Sequence, residues 1–212
     1  MLLAFDTASP AVTVALHDGE RVVAERTRVD AMRHGELLAP GITTVLEQAG
    51  IVRQDVTAIA VGVGPGPFTG LRVGLVTART LAAALQIPVY GVCTLDVLAA
   101  EAVDACIGRD FLVATDARRK EVYWARYDAD GHRLDGPAVD RPDHVADASG
   151  PVVGRGALLY PEAFPEFAAP EHPSAAVLAE VVTEERAELV DPEPVYLRRP
   201  DAALPGKRKQ VS

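Results

Sequence analysis

Ala58-Ile59-Ala60-Val61-Gly62-Val63-Gly64-Pro65-Gly66-Pro67-Phe68-Thr69-Gly70-Leu71-Arg72 changes its period part-way, and that change decides the fold. Ala58 to Val63 is apolar without polar alternation, the pattern of a strand buried on both faces of a parallel sheet. From Thr69 to Leu85 the apolar residues Leu71, Leu75, Ala78, Leu81, Ala82 and Leu85 recur at helical spacing, so a packed helix follows. The Gly/Pro-rich turn between them can take positive φ or approach a neighbour closely at each glycine, while its prolines stiffen it. A glycine-rich loop ahead of a helix N-terminus can hold an anion. Here Pro65 and Pro67 delete two N–H donors and no G-K-S/T follows, so the stretch is not a P-loop. Anion binding and a rigid turn that sets helix packing both stay open. Phe68 on such a turn is either buried or a contact anchor.

Working outward, Leu2 to Thr7 is a short apolar run, Ala11 to Leu16 alternates Val12, Val14 and Leu16 with Ala11, Thr13 and Ala15, and Asp18-Gly19 supplies a tight turn. Arg21 to Arg28 returns as a third strand, which makes an antiparallel meander. A helix over Gly35 to Gln48 follows, closed by Gly50, with Leu37, Leu38, Ile42, Val45 and Leu46 on one stripe. Beyond the central turn come a strand at Val89–Cys93 and a helix over Leu95–Ala105. The order predicts a mixed sheet covered by helices. Gly108-Arg109-Asp110 marks a lobe boundary, giving lobes at 1–107 and 108–199 and a basic tail at 200–212 expected to be flexible. In the second lobe, Phe111–Thr115, Glu121–Tyr127 and Val152–Val153 read as strands, and Asp135–Pro151 as loop with at most one strand. A helix from Ser174, its N-cap, to Leu189 closes the lobe, which is expected to echo the first with shortened strands.

The chain has 212 residues, 49% apolar and 24% charged, an ordinary globular composition. A net charge of −9 argues against gripping nucleic acid alone, because phosphate contacts need clustered Lys and Arg. The basic run Lys207, Arg208, Lys209 is either a solvated tail or a weak auxiliary RNA contact. Cys93 and Cys106 are too few for a disulfide framework and read as buried free thiols of a reducing compartment. The N-terminus lacks a basic n-region. Thr77, Arg79 and Thr80 interrupt the most apolar helix, so no membrane span is expected.

Five segments carry a family resemblance. Gly64 to Arg72, G-P-G-P-F-T-G-L-R, resembles the G-P-G-S-F-T-G-L-R loop of the TsaB family, with Pro67 in the usual serine place. Leu2 to Ala8, L-L-A-F-D-T-A, is similar to that family's opening strand, and His34 to Pro40, H-G-E-L-L-A-P, to its H-S-E-x-L-x-P helix start. Asp116 to Ala125 and Pro194 to Arg198 (P-V-Y-L-R) resemble two further segments. The five matches fall in family order from Leu2 to Arg198, and together they are specific.

The resemblance implies an α/β, actin/hexokinase/Hsp70-like fold built on ribonuclease-H-like sheets, two-lobed with a reduced second lobe. It also implies a cytoplasmic, non-catalytic partner of the larger paralogue TsaD, which transfers threonylcarbamoyl to adenosine beside the tRNA anticodon. The chain would stabilise and position TsaD and help recruit the ATPase TsaE, and tRNA would be reached through the complex. ATP and metal would belong to the partner subunits. The partner face would comprise His34, Leu37, Leu38, Gly64, Gly66, Phe68, Thr69, Gly70, Leu71, Arg72 and Leu75, a surface too apolar for a lone monomer and able to form a homodimer.

The residues agree that catalysis lies elsewhere. The paralogue holds metal with two histidines in a segment resembling V-N-H-L-E-G-H; here Thr94 and Leu98 stand in those places, and leucine cannot ligate. The five histidines form no i, i+3 or i, i+4 pair, which leaves only a site from sequence-distant ligands. Asp6 is the one candidate for a nucleotide site, since actin-like ATPases place a carboxylate at the end of the first strand near magnesium. Thr7-Ala8-Ser9-Pro10 follows it and lacks the usual glycine. The alternative function is therefore an independent small ATPase or kinase using Asp6 and the Gly64–Gly70 loop. Asp116–Glu121 is either a solvated hairpin or a contact with TsaD, TsaE or tRNA. Of Tyr123 and Trp124, which alternate across a strand, one should face the core and the other a surface or groove.

Overall fold

A computed structural model describes residues 1–145 and 150–198. Strands β1 (Leu2–Asp6), β2 (Ala11–His17) and β3 (Val22–Val29) form the meander, with Phe5 opposite Val14. At the Asp18-Gly19 turn the Asp18 carboxylate accepts the Glu20 and Arg21 amides at 2.8 and 2.9 Å. β4 (Ala58–Gly62) lies parallel to β1, and β5 (Val89–Val92) parallel to β4, giving the order β3-β2-β1-β4-β5. Helices α1 (His34–Ala49) and α2 (Phe68–Leu85) cover one face of this sheet, burying Leu38, Ile42, Val45, Leu75 and Ala78 against Phe5, Val14, Ile59 and Val61. Gly50 ends α1 at φ 66°, a left-handed position that glycine takes without a Cβ clash.

The second sheet repeats the first. β6 (Phe111–Asp116), β7 (Val122–Tyr127) and β8 (Arg133–Asp140) form a second meander. The two-residue strands β9 (Val152–Val153) and β10 (Phe167–Ala168) add in parallel, in the order β10-β9-β6-β7-β8. Read outward from its first strand, each sheet has the same order and sense. This is the two-lobed α/β, ribonuclease-H-like architecture expected from the sequence, with the second lobe reduced at β9 and β10. The segment read as loop contains β8 and a single turn of helix, α4 (Pro142–Val145).

The cores cross the boundary at Gly108. Helix α3 (Thr94–Cys106) packs Leu95, Leu98, Ala99 and Ala102 on Phe111, Val113, Ala125 and Tyr127 of the second sheet. Helix α6 (Ala175–Thr183) returns to the first, where Leu178, Ala179 and Val181 join Ala4, Ala15 and Ala60. That is why β2, which alternates in sequence, is buried at every position: α1 covers one face and α6 the other. Ser174 caps α6 as expected, accepting the Ala176 and Val177 amides, while Thr13 accepts the Ala175 amide at 3.0 Å. α6 stops at Thr183 rather than Leu189, because Glu184-Glu185-Arg186 ends the apolar stripe and Glu185 takes φ 54°. α5 (Arg155–Leu159) covers the outer face of the second sheet.

α2 has the length and apolar composition of a membrane span, but Leu75, Ala78 and Ala82 are buried in the protein's own first core and Leu71 beside the Gly64 turn. The basic run Lys207–Lys209 and the tail expected at 200–212 lie outside the described residues.

Candidate functional site

The end of β1 and the start of α3 meet in a buried polar node. Asp6 is fully buried, and its carboxylate accepts the Ala8 amide at 2.6 Å and the Thr94 hydroxyl at 2.7 Å. The Thr94 hydroxyl in turn accepts the Gly64 amide at 3.2 Å, and the Thr94 amide donates to Gly64 O at 2.8 Å. Burial raises the Asp6 pKa above its usual value against the lowering pull of Thr94, Ala8 and His34.

The glycines of the central turn are what let β1 and α2 close on one another. A Cβ on Gly62 would overlap the Asp6 carboxylate, one on Gly66 the Ala8 carbonyl, and one on Gly70 the Thr7 carbonyl; on Gly74 it would lie 2.5 Å from the Thr7 hydroxyl. Thr7 donates to Gly70 O at 2.7 Å, and His34 Nε2 bonds Ser9 O at 2.8 Å. The space between the β1–β2 turn and the glycine loop is thus filled by the chain's own backbone, and both Asp6 oxygens are engaged. This is the rigid packing turn. The geometry does not favour Asp6 and Gly64–Gly70 as a nucleotide site.

The surface beside this turn differs from the one the leucine stripe suggested. Leu38, Leu71 and Leu75 are 1%, 1% and 4% exposed, and His34, Gly64, Gly66 and Gly70 are also buried. Leu37 is half-buried against the core. The expectation that these leucines form an exposed apolar face is corrected: their stripe is spent on the sheet. α2 instead exposes a second stripe, Phe68, Arg72, Val76 and Thr80, at intervals of four residues, with Thr69 beside it. Phe68 is 43% and Val76 62% exposed.

An extended C-terminal strap runs along this stripe. Val190 and Gly91 exchange backbone bonds at 2.8 and 2.9 Å, and the Val195 amide donates to Val63 O at 2.9 Å. Glu193 pairs with Arg79 at 2.8 Å. The Tyr196 ring stacks on Phe68 with centroids 5.6 Å apart, while the Arg72 guanidinium sits 3.9 Å over the Phe68 ring and donates to the Tyr196 hydroxyl at 3.3 Å. Strap and helix enclose a groove of about 580 Å³ lined by Arg72, Val76, Thr80, Pro192 and Pro194. Sequence reasoning missed Val76, Thr80 and the strap. Val76 lies eight residues after Phe68 on one helix face, a signal masked by the stronger leucine stripe. Tyr196 was within reach through the Pro194–Arg198 segment.

Between the lobes, Pro67 and Phe68 face Ala117, Arg118, Tyr123 and Arg198 across a cleft of about 230 Å³. The Asp116–Glu121 turn takes positive φ at three consecutive side-chain-bearing residues, Arg118 (62°), Arg119 (56°) and Lys120 (62°), a conformation disfavoured outside glycine. It is held by the Asp116 carboxylate, which accepts the Arg118 amide at 2.7 Å, and by Arg198, which donates to Ala117 O at 3.1 Å and pairs with Glu121. Tyr123 is buried at the cleft, and Trp124 packs half-buried on the outer core and donates to Asp140 at 3.1 Å.

Thr94 and Leu98, at the places of the paralogue's ligands, are both buried. Asp128, Asp130 and His132 do bring ligand atoms within 4.8 Å of one another, but Asp128 already accepts the Asp130 and His132 amides in a turn. Cys93 and Cys106 are buried free thiols, and burial with Asp96 nearby pushes Cys93 up to about 12. Both are poor nucleophiles at neutral pH.

Comparison with known proteins bears directly on this geometry. Residues 22–170 match the family model "TsaD: tRNA N6-adenosine threonylcarbamoyltransferase". YeaZ from Pseudomonas aeruginosa superposes with a TM-score of 0.78 at 36% identity, over 92% of this chain and 99% of that one. The chain belongs to the TsaB/YeaZ branch of the TsaD family. An uncharacterized protein of Mycobacterium tuberculosis is 45% identical over 95% of this chain and 93% of its own length. The tRNA threonylcarbamoyladenosine biosynthesis protein TsaB of Escherichia coli is 37% identical over 149 residues, 68% of this chain and 64% of that relative. The match to the TsaD model crosses both sheets of this TsaB-type chain, from β3 to the β10 region, and it includes the central turn and all of α2.

Proposed function

We propose that this TsaB-type chain acts in tRNA threonylcarbamoyladenosine biosynthesis as a non-catalytic partner that stabilises and positions TsaD. The observation that carries this is the second stripe of α2: Phe68, Arg72 and Val76 stand in solvent on a helix whose other side is already packed. An exposed aromatic with an arginine over it, beside a groove of mixed apolar and charged lining, is the composition of an interface anchor rather than of an idle surface. Thr69 is exposed beside the same stripe, and the buried Gly70, Leu71 and Leu75 seat α2 from its inner side.

On this reading ATP and the catalytic metal sit on the partner subunits, and TsaE joins the pair. tRNA is reached through the complex, since a chain of net charge −9 is a poor grip for a polyanion. The work is done in the cytoplasm. A homodimer through the same stripe would be the state without TsaD.

The test is size-exclusion with light scattering on the chain, on TsaD from the same source, and on their mixture. A new species with the summed mass supports the proposal. Two unshifted peaks across several salt concentrations contradict it.

A further inference from the structure

The strap touches both lobes, and its attachments differ in kind. Its first half is fastened by backbone: Val190 to Gly91, and Val195 to Val63, with Val195 packed against the first core. From Tyr196 onward it is held by side chains, exposed at Tyr196 and part-buried at Arg198. Tyr196 stacks on Phe68 under Arg72, each ring leaving the other about two-fifths exposed. Two residues later Arg198 reaches the second lobe, donating to Ala117 O and pairing with Glu121. Those two groups flank Arg118, Arg119 and Lys120, the three residues held at positive φ. The exposed stack and cation–π contact are individually weak and can be exchanged for a partner's contacts.

We propose that Tyr196 to Arg198 is a latch, hinged at Val195, which couples occupation of the α2 stripe to the conformation of the Asp116–Glu121 turn. A partner that takes Phe68 and Arg72 into its own interface displaces Tyr196. Arg198 lies two residues further along the same extended segment, so a backbone displacement at Tyr196 pulls on its bonds to Ala117 and Glu121. The turn loses its tie to the strap and keeps the bonds of Asp116 to Arg118 and of its own backbone, at the mouth of the inter-lobe cleft. The inference rests on the proposed partner face, but its first arm does not need the partner.

The experiment is hydrogen exchange with mass spectrometry on the full chain, comparing wild type, Tyr196→Ala and Arg198→Ala. The readout is the Ala117 and Glu121 amides, which close the turn. Tyr196→Ala, made against the first lobe, must speed exchange in the second-lobe turn by about fivefold or more, the low end of coupling between two sites. Arg198→Ala must do the same. Adding TsaD must speed exchange at the turn in wild type and do nothing further in Arg198→Ala. An unchanged turn in Tyr196→Ala overturns the latch, as does a turn that TsaD protects, or a TsaD effect that persists undiminished in Arg198→Ala. If TsaD fails to bind wild type at all, the partner face falls while the first arm still decides the coupling within the chain.

Discussion

Thr94 donates its hydroxyl to the buried Asp6 carboxylate at 2.7 Å, joining the first residue of α3 to the last of β1 across 88 positions of sequence. Because the same oxygen accepts the Gly64 amide, one side chain ties together the strand end, the central turn and the helix that packs on the second lobe. Thr94→Val removes it while keeping the shape. It should cost about 2–3 kcal/mol, the range for losing a bond to a buried charged group and stranding its partners. Thr94→Ser should recover most of that. Asp6→Asn should cost less than Asp6→Ala, since asparagine keeps the Ala8 bond and removes a charge that burial disfavours, whereas alanine leaves both donors unpaired. Urea midpoints for the four variants check the order.

Gly66 and Gly35 should respond in opposite directions to the same methyl group. Gly66→Ala drives a Cβ into the Ala8 carbonyl, a backbone atom that cannot swing aside, so a loss of about 2–3 kcal/mol or more is expected. Gly35 lies exposed in the first turn of α1 with its nearest neighbour, Val73, 4.0 Å from the added Cβ. Gly35→Ala should be neutral or stabilising by up to about 1 kcal/mol through helix propensity. Equal effects would mean that the glycines of the turn are not chosen for close approach.

Glu101 should make stability fall as pH rises. Burial, with Glu25 and Glu180 close by, pushes its carboxyl up to about 7 against the Ser174 amide. Between about 4.5 and 7 the folded chain therefore binds more of a proton than the unfolded chain, and that stabilisation is lost as pH climbs through the window. Much of the side chain is in solvent, so Glu101→Gln should gain no more than about 1 kcal/mol at pH 8, and less than that at pH 5. Thermal midpoints at the two pH values check the sign; an equal shift at both removes the carboxyl from the explanation.

Much of the fold was legible because its signals are local. The change of period between Val63 and Thr69 marked strand and helix, and the Asp18-Gly19 turn placed the first hairpin. What failed was the assignment of faces. A leucine stripe marks the side of a helix that leaves water but not what covers it, so Leu38, Leu71 and Leu75 could serve a partner or the sheet with the same sequence. Only the placement of the first sheet under α1 and α2 assigns them to the interior. The extent of α6 was misjudged because apolar residues resume at Leu189-Val190, where they belong to the strap rather than to a helix. The strap has no period at all, and its value lies in contacts with residues more than a hundred positions away.

The central claim, that the outward stripe of α2 is the surface TsaD takes, is tested most directly by Val76→Asp. Val76 is 62% exposed and makes no core contact that a carboxylate would disturb, whereas Leu71→Asp would bury a charge and unfold the chain. Light scattering on mixtures with TsaD, with the unfolding midpoint measured beside it, separates binding from folding. The expected result is a Val76→Asp chain of wild-type stability whose affinity for TsaD is weaker by tenfold or more, about 1.4 kcal/mol or above. A stable Val76→Asp chain that binds TsaD as wild type does would contradict the claim and move the partner to another face.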